Sequence, residues 1–108
     1  MTTILNYTPH PINIIGEIGT TTIPSNGVAR VSQNTNPLQP IEHEGNVIPI
    51  VESTFGNVEG LPDMASNTVI IVSSIVKAAL PDRYDLVVPT DFVRNEQGHI
   101  LGCRALSI

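Results

Sequence analysis

The stretch Thr68-Val69-Ile70-Ile71-Val72-Ser73-Ser74-Ile75-Val76-Lys77-Ala78-Ala79-Leu80-Pro81, followed after a short gap by Leu86-Val87-Val88-Pro89, decides how this chain folds. Thr68 to Val72 is an apolar run without alternation, the pattern of a strand buried on both faces in the middle of a sheet. Ser73 or Ser74 then supplies an N-cap, and Ile75 to Leu80 forms a short helix that Pro81 ends. Asp82 to Asp85 is a turn, and Leu86 to Val88 is a second strand stopped by Pro89. A strand, a helix and a strand in that order imply a crossover between parallel neighbours.

Outward from this unit, glycine (8) and proline (9) recur about every ten residues, separated by short runs rich in Ile, Val and Thr, so the chain reads as many short strands. Ile4 to Tyr7 is a strand closed by Thr8-Pro9-His10-Pro11. Ile12 to Gly16 and Thr20 to Ile23 form a hairpin around Gly16-Glu17-Ile18-Gly19. Pro24-Ser25-Asn26-Gly27 predicts a tight turn with positive φ at Asn-Gly, and Val28 to Ser32 a strand with Val28 and Arg30 on one face. Gln33 to Glu44 is polar, holds two prolines and lacks periodicity, so it reads as a long, functional or mobile loop. Asn46 to Val51 is an edge or bulged strand because Pro49 lies inside it, and Ser53 to Asp63 is a short strand in a turn-rich segment. Phe92 to Arg94 and Ile100 to Leu106 make a terminal hairpin around Asn95-Glu96-Gln97-Gly98. The expected fold class is α+β. It is a mostly β domain spanning residues 1–108, built as a mixed small sheet or barrel-like domain with one short helix at about residues 74–80.

Composition narrows function. The 108 residues carry ten acids and five bases, for a net charge of −5, and four of the five bases are arginine: Arg30, Arg83, Arg94 and Arg104. Such a chain lacks the field of cations that polymeric nucleic acid requires, and its 4% aromatics offer few stacking platforms. No apolar run approaches the ~18 residues of a membrane helix, and the N-terminus lacks a signal peptide's basic region, so a cytoplasmic protein is expected. The lone cysteine, Cys103, sits in an apolar alternation and reads as a buried structural thiol. A small domain with a weakly charged surface is expected to self-associate as a homo-oligomer.

Four constellations could carry chemistry. Thr8-Pro9-His10-Pro11 presents a hydroxyl and an imidazole on a rigid loop, which is either a ligand clamp or a set of local turn hydrogen bonds. Ser73 and Ser74 at the strand-to-helix junction suit either a phosphate or simple capping. Arg83, flanked by Asp82 and Asp85, is either a forked phosphate donor or a local ion pair worth little at a surface. Glu42-His43-Glu44 lacks further ligands at metal-binding spacing and reads as a solvated loop, as does His99. Arg30, in a strand of a charge-poor protein, either snorkels to the surface or serves a site. A Ser-His-Asp set can be assembled on paper from Ser74, His10 and Asp85, but no nucleophile elbow accompanies it. Neither cofactor nor metal is expected.

These motifs together resemble a widespread family of small proteins encoded by bacteriophages and prophages. The resemblance rests on Asn6-Tyr7-Thr8-Pro9-His10, Ile23-Pro24-Ser25 with Gly27 and Ala29-Arg30-Val31, Val58-Glu59-Gly60-Leu61-Pro62, Ile71-Val72-Ser73-Ser74, Pro81-Asp82-Arg83-Tyr84-Asp85 with Pro89, and Val93-Arg94 through Gly98 to Gly102-Cys103-Arg104. It covers nearly the whole chain and departs at Tyr7, where leucine is usual, a difference that touches packing. The size and polar loops are similar to those of viral sponge proteins, which bind host immune second messengers such as the cyclic dinucleotides of CBASS defence without cleaving them. That resemblance implies a non-enzymatic, anti-defence protein in the cytoplasm of the infected bacterial host, oligomeric, with cyclic GMP-AMP or a related signal bound at or near subunit interfaces. Thr8, His10, Ser73, Ser74, Arg83, Arg94 and Arg104 become the candidate ligand-binding residues, with stacking from Tyr7, Tyr84 or Phe92. Alanine at Arg83, Arg94 or Arg104 is then expected to spare the fold and weaken binding. The alternative is a virion-associated or host-takeover protein-interaction module, and a phosphodiesterase of the same messengers stands third.

Overall fold

A computed structural model describes residues 2–108. Its elements run β1 (Thr3–Asn6), β2 (Ile12–Ile15), β3 (Thr20–Ile23), β4 (Arg30–Pro37), β5 (Ile41–His43), β6 (Asn46–Ile48), β7 (Val51–Glu59), β8 (Thr68–Ile71), α1 (Ser74–Ala79), β9 (Leu86–Arg94) and β10 (Ile100–Ser107). The chain is mostly β with one short helix among the described residues.

The deciding stretch folds as its sequence dictates except at Pro89, which does not stop the strand. β9 runs through it to Arg94, with Pro89 opposite Leu106 and beyond the last residue that pairs with β8, so its missing N–H costs no bond to β8. β8 pairs in parallel with β9, Ile70 opposite Leu86 and Ile71 opposite Val87, and α1 makes the crossover. The other edge of β8 pairs in parallel with β1, from Thr3 opposite Thr68 to Asn6 opposite Ile71. Six strands then form one mixed sheet in the order β1-β8-β9-β10-β2-β3, with antiparallel β9–β10 and β2–β3 hairpins and a parallel contact between β10 and β2.

Both faces of β8 are covered, as its unbroken apolar run requires. Ile70 and Val72 pack with Val76 of α1, Leu86 and Ala29 on one side; Ile71 packs with Ile23 and Val87 on the other. Ile70, Ile71, Val72 and Leu86 are fully buried. Each such side chain contributes about 1.5–3 kcal/mol, so this central strand pair anchors the fold. Ser73 caps α1 with its hydroxyl accepting from the Val76 N–H at 3.4 Å.

The curled sheet comes close to closing on itself, and Asn6 is the clasp. Its side chain is completely buried. The Nδ2 group donates to the carbonyls of His10 (2.8 Å) and Ile23 (3.0 Å), the latter at the end of β3 on the far edge of the sheet. Its Oδ1 accepts from the Thr8 N–H at 3.0 Å and the Thr8 hydroxyl at 2.6 Å. All four hydrogen-bonding positions of the amide are therefore used. This contact also explains a correction. Asn26 and Gly27 do not adopt the positive φ expected of a turn. The segment instead runs beside β1: the Asn26 N–H donates to the Asn6 carbonyl at 2.7 Å, and the Ala29 N–H donates to the Tyr7 carbonyl at 3.0 Å. Gly27 is needed for closeness, since a Cβ there would lie 2.9 Å from the Tyr7 ring.

The long polar segment departs further from expectation. The expected loop over Gln33 to Glu44 is the outgoing half of a long ribbon, and the expected short strand after Ser53 belongs to the nine-residue β7. β4 and β7 pair antiparallel from Arg30 opposite Glu59 to Pro37 opposite Val51, and β5–β6 continues the arm to a turn at Glu44-Gly45. Both of those residues have positive φ, 51° and 80°, the signature of a two-residue hairpin turn. Pro49 falls in the break between β6 and β7, where a missing N–H costs no ladder bond. The arm stretches the molecule to 57 × 39 × 19 Å.

Candidate functional site

Where the arm leaves the body, its base and the start of α1 form the walls of an open groove of about 590 Å³. One wall is Arg30, Val31 and Ser32 of β4 with Asn57 and Glu59 of β7; Ser73 and Ile75 form the other. The register of the ribbon slips here, because Val31 faces Val58 but Gln33 faces Phe55. β7 thus carries an extra residue in a bulge, a feature that re-aims side chains next to functional sites. Gly56 makes the bulge possible: a Cβ at that position would collide with the Ser32 hydroxyl.

Arg30 is the cation of this groove. It is exposed, and among the described residues no carboxylate lies within ion-pair distance of it. Its cross-strand partner is Glu59, so the fork stands beside one carboxylate and can offer a ligand carboxylate or phosphate two parallel hydrogen bonds. Ser32, Asn57 and Ser73 add neutral donors, and Glu59 adds an acceptor.

The residues singled out from the sequence divide sharply. Ser73 lines the groove, although its hydroxyl also caps the helix. Ser74 is the first residue of α1, exposed, and outside the lining. Thr8 and His10 lie beyond the end of β1, the same end of the sheet as Ser73, since Asn6 is opposite Ile71. The Thr8 hydroxyl is occupied by Asn6 Oδ1 and the His10 carbonyl (3.0 Å), the local turn bonding that was its simpler explanation. The His10 ring is solvent-exposed.

Arg83 lies three residues before β9, at the opposite end of the sheet from Ser73. Its Nε and Nη2 grip the Asp85 carboxylate at 2.9 and 2.6 Å, and Nη2 also donates to the Pro62 carbonyl at 3.1 Å. The pair is buried, with Asp85 side-chain exposure at 5% and Arg83 at 21%, and so differs from the weak surface pair anticipated. The hydrogen bonds and charge of Arg83 hold the Asp85 carboxyl below the usual carboxylate range, and Asp85 raises the guanidinium pKa in return. Arg83 is a structural clamp, which corrects the expectation that alanine there spares the fold.

Arg94 and Arg104 lie on the β9–β10 hairpin and do not line the groove. Arg94 donates to the Gly98 carbonyl at 2.9 Å, and Arg104 faces Asp91 at 3.5 Å on the surface. Cys103 is buried, and loss of solvent pushes its thiol pKa up. Beside it, Pro89, Phe92, Ile100 and Leu101 border a smaller cleft of about 180 Å³. Among the described residues, no group of three His, Cys, Asp or Glu is arranged to hold a metal ion, and no helix is long and apolar enough to cross a membrane.

Sequence reasoning did not assemble this groove. Arg30 gave the usable signal, as an arginine on a strand in a chain with five bases. Its partners Asn57 and Glu59 are brought there by the β4–β7 pairing, which has no hydrophobic signature. No family model matches the chain, and neither a curated protein nor a solved structure shows significant similarity to it.

Proposed function

We propose that the chain is a phage- or prophage-encoded binding protein that captures a small nucleotide second messenger, of the cyclic GMP-AMP class, and holds it uncleaved in the infected bacterium. The groove at the base of the arm supports this reading. Its volume lies within the roughly 300–1,000 Å³ of small-molecule sites. Its lining is suited to a compact ligand with a few negative charges: one unpaired arginine fork for a phosphate, three neutral side chains able to donate, and Glu59 to accept from an exocyclic amine. A polymer backbone would need many cations along a track, whereas this groove presents one arginine with Glu59 opposite it.

The test is recovery. Protein expressed in bacteria making a cyclic dinucleotide is purified, denatured and its released small molecules identified by mass spectrometry. Intact cyclic nucleotide in near-stoichiometric amount supports capture, and linear product indicates a phosphodiesterase. Protein free of nucleotide, carrying a stoichiometric host protein, supports the second reading, a protein-interaction module. That alternative is favoured by the apolar residues exposed along the arm.

A further inference from the structure

The arm has two unlike faces. Directly opposed residues of an antiparallel pair share a face. Gln33 with Phe55, Thr35 with Ser53 and Pro37 with Val51 therefore line one side, and Asn34 with Thr54 and Asn36 with Glu52 line the other. The first side is uncharged and carries Phe55 and Val51, 45% and 51% exposed; the second is wholly polar. A two-stranded ribbon with nothing packed on its apolar side is marginal in water.

The surface area says how much covering is missing. A folded monomer of 11.6 kDa exposes about 5,800 Å² on the general size scaling. This chain exposes 7674 Å², an excess of about 1,800 Å². Its radius of gyration is 17.8 Å, against about 13 Å for a compact chain of this length. Permanent homomeric interfaces bury about 1,000–2,500 Å² on each subunit, a range that contains the excess.

We propose that the β4–β7 ribbon is the interface with a second copy of this chain, its Val51–Phe55 face covered by that copy. Charge permits a like partner on this face. Two chains of net −5 repel, so they approach best through surface without charge, and this strip has none, while Glu52 sits on the reverse side and Glu42 and Glu44 at the tip. The groove lies at the base of the same ribbon, where Arg30 alternates with Val31 and so shares the polar side of β4 with Asn34 and Asn36, away from the covered strip. The proposal does not depend on which ligand the groove takes, because mass and ligand binding are measured separately.

Sedimentation of the full chain at about 100 µM tests it. The expected mass is twice 11.6 kDa or a higher multiple. The Val51→Asp/Phe55→Asp variant is expected to fall to the monomer mass with its circular dichroism retained, and Glu52→Lys on the polar side to keep the wild-type mass. Hydrogen exchange of the wild type guards against a variant that fails to fold: the Val51–Val58 amides should be protected in the assembly and lose protection on dilution. A monomeric wild type overturns the proposal, including one that captures a host protein through the ribbon. So does an oligomer whose mass survives the double substitution in a folded variant, or whose ribbon amides exchange freely.

Discussion

Replacing Arg83 by alanine separates a structural arginine from a ligand-binding one. The substitution removes two charge-assisted hydrogen bonds, at 2.9 and 2.6 Å, from a carboxylate that is 5% exposed, and a third bond from the Pro62 carbonyl. Stripping one partner from a buried pair costs about 3–5 kcal/mol, because the other charge stays buried alone. Arg83 is 21% exposed, so some water reaches the gap, and we take the lower end, about 3 kcal/mol. For a domain of this size that is a fall in Tm of about 13 °C. The pH dependence has a definite sign. Asp85 has a folded-state pKa below its unfolded value, so its contribution is complete above the usual carboxylate range and is lost as pH falls through the depressed value. The raised pKa of Arg83 keeps it charged throughout. Urea unfolding of wild type and variant should therefore differ by about 3 kcal/mol at pH 7, with the gap narrowing in acid. The Arg83→Ala/Asp85→Ala double variant should recover part of the loss, since the stranded charge goes with it. A loss below about 1 kcal/mol at pH 7, or a gap unchanged into strong acid, refutes the reasoning.

Three further outcomes follow from the same contacts. Asn6→Ala strands the Ile23 and His10 carbonyls and the Thr8 N–H, and should cost about 3 kcal/mol in urea unfolding, with early exchange of amides in β1 and β3. Gly60→Ala should cost at least about 1–2 kcal/mol, because Gly60 has φ 88° and a Cβ there would sit 2.5 Å from the Val28 carbonyl oxygen; thermal denaturation reads the loss. Cys103 should react with a thiol reagent at neutral pH only at the rate of unfolding, as burial both hides the sulfur and disfavours the thiolate.

The parts legible in the sequence are those with a hydrophobic period or strong punctuation. The β8–α1–β9 crossover was written in an unbroken apolar run, a serine cap and a terminating proline, and the β2–β3 and β9–β10 hairpins in short apolar runs parted by glycine-bearing turns. The arm was not legible, because β4 from Ser32 to Asn36 is wholly polar and the facing strand offers only Val51 and Phe55 on one side. Asn34, Asn36 and Thr54 are held by cross-strand pairing, which leaves a polar sequence looking like a loop. Asn26-Gly27 misled for a related reason: a dipeptide that favours turns in isolation is held extended by the Asn6 backbone. The site suffered most. Arg83 and Thr8 carry the residue types of a binding site, but their donors are spent inside the protein, and only tertiary pairing places Asn57 and Glu59 beside Arg30.

Calorimetric titration of the wild type and Arg30→Ala with a panel of cyclic dinucleotides, cyclic GMP-AMP included, tests the account most directly. Wild type should bind at least one member with Kd below about 10 µM. Loss of the Arg30 guanidinium should weaken that binding at least about tenfold without altering the fold. A wild type that binds none of the panel, or a folded Arg30→Ala variant that binds as tightly as wild type, would contradict the account.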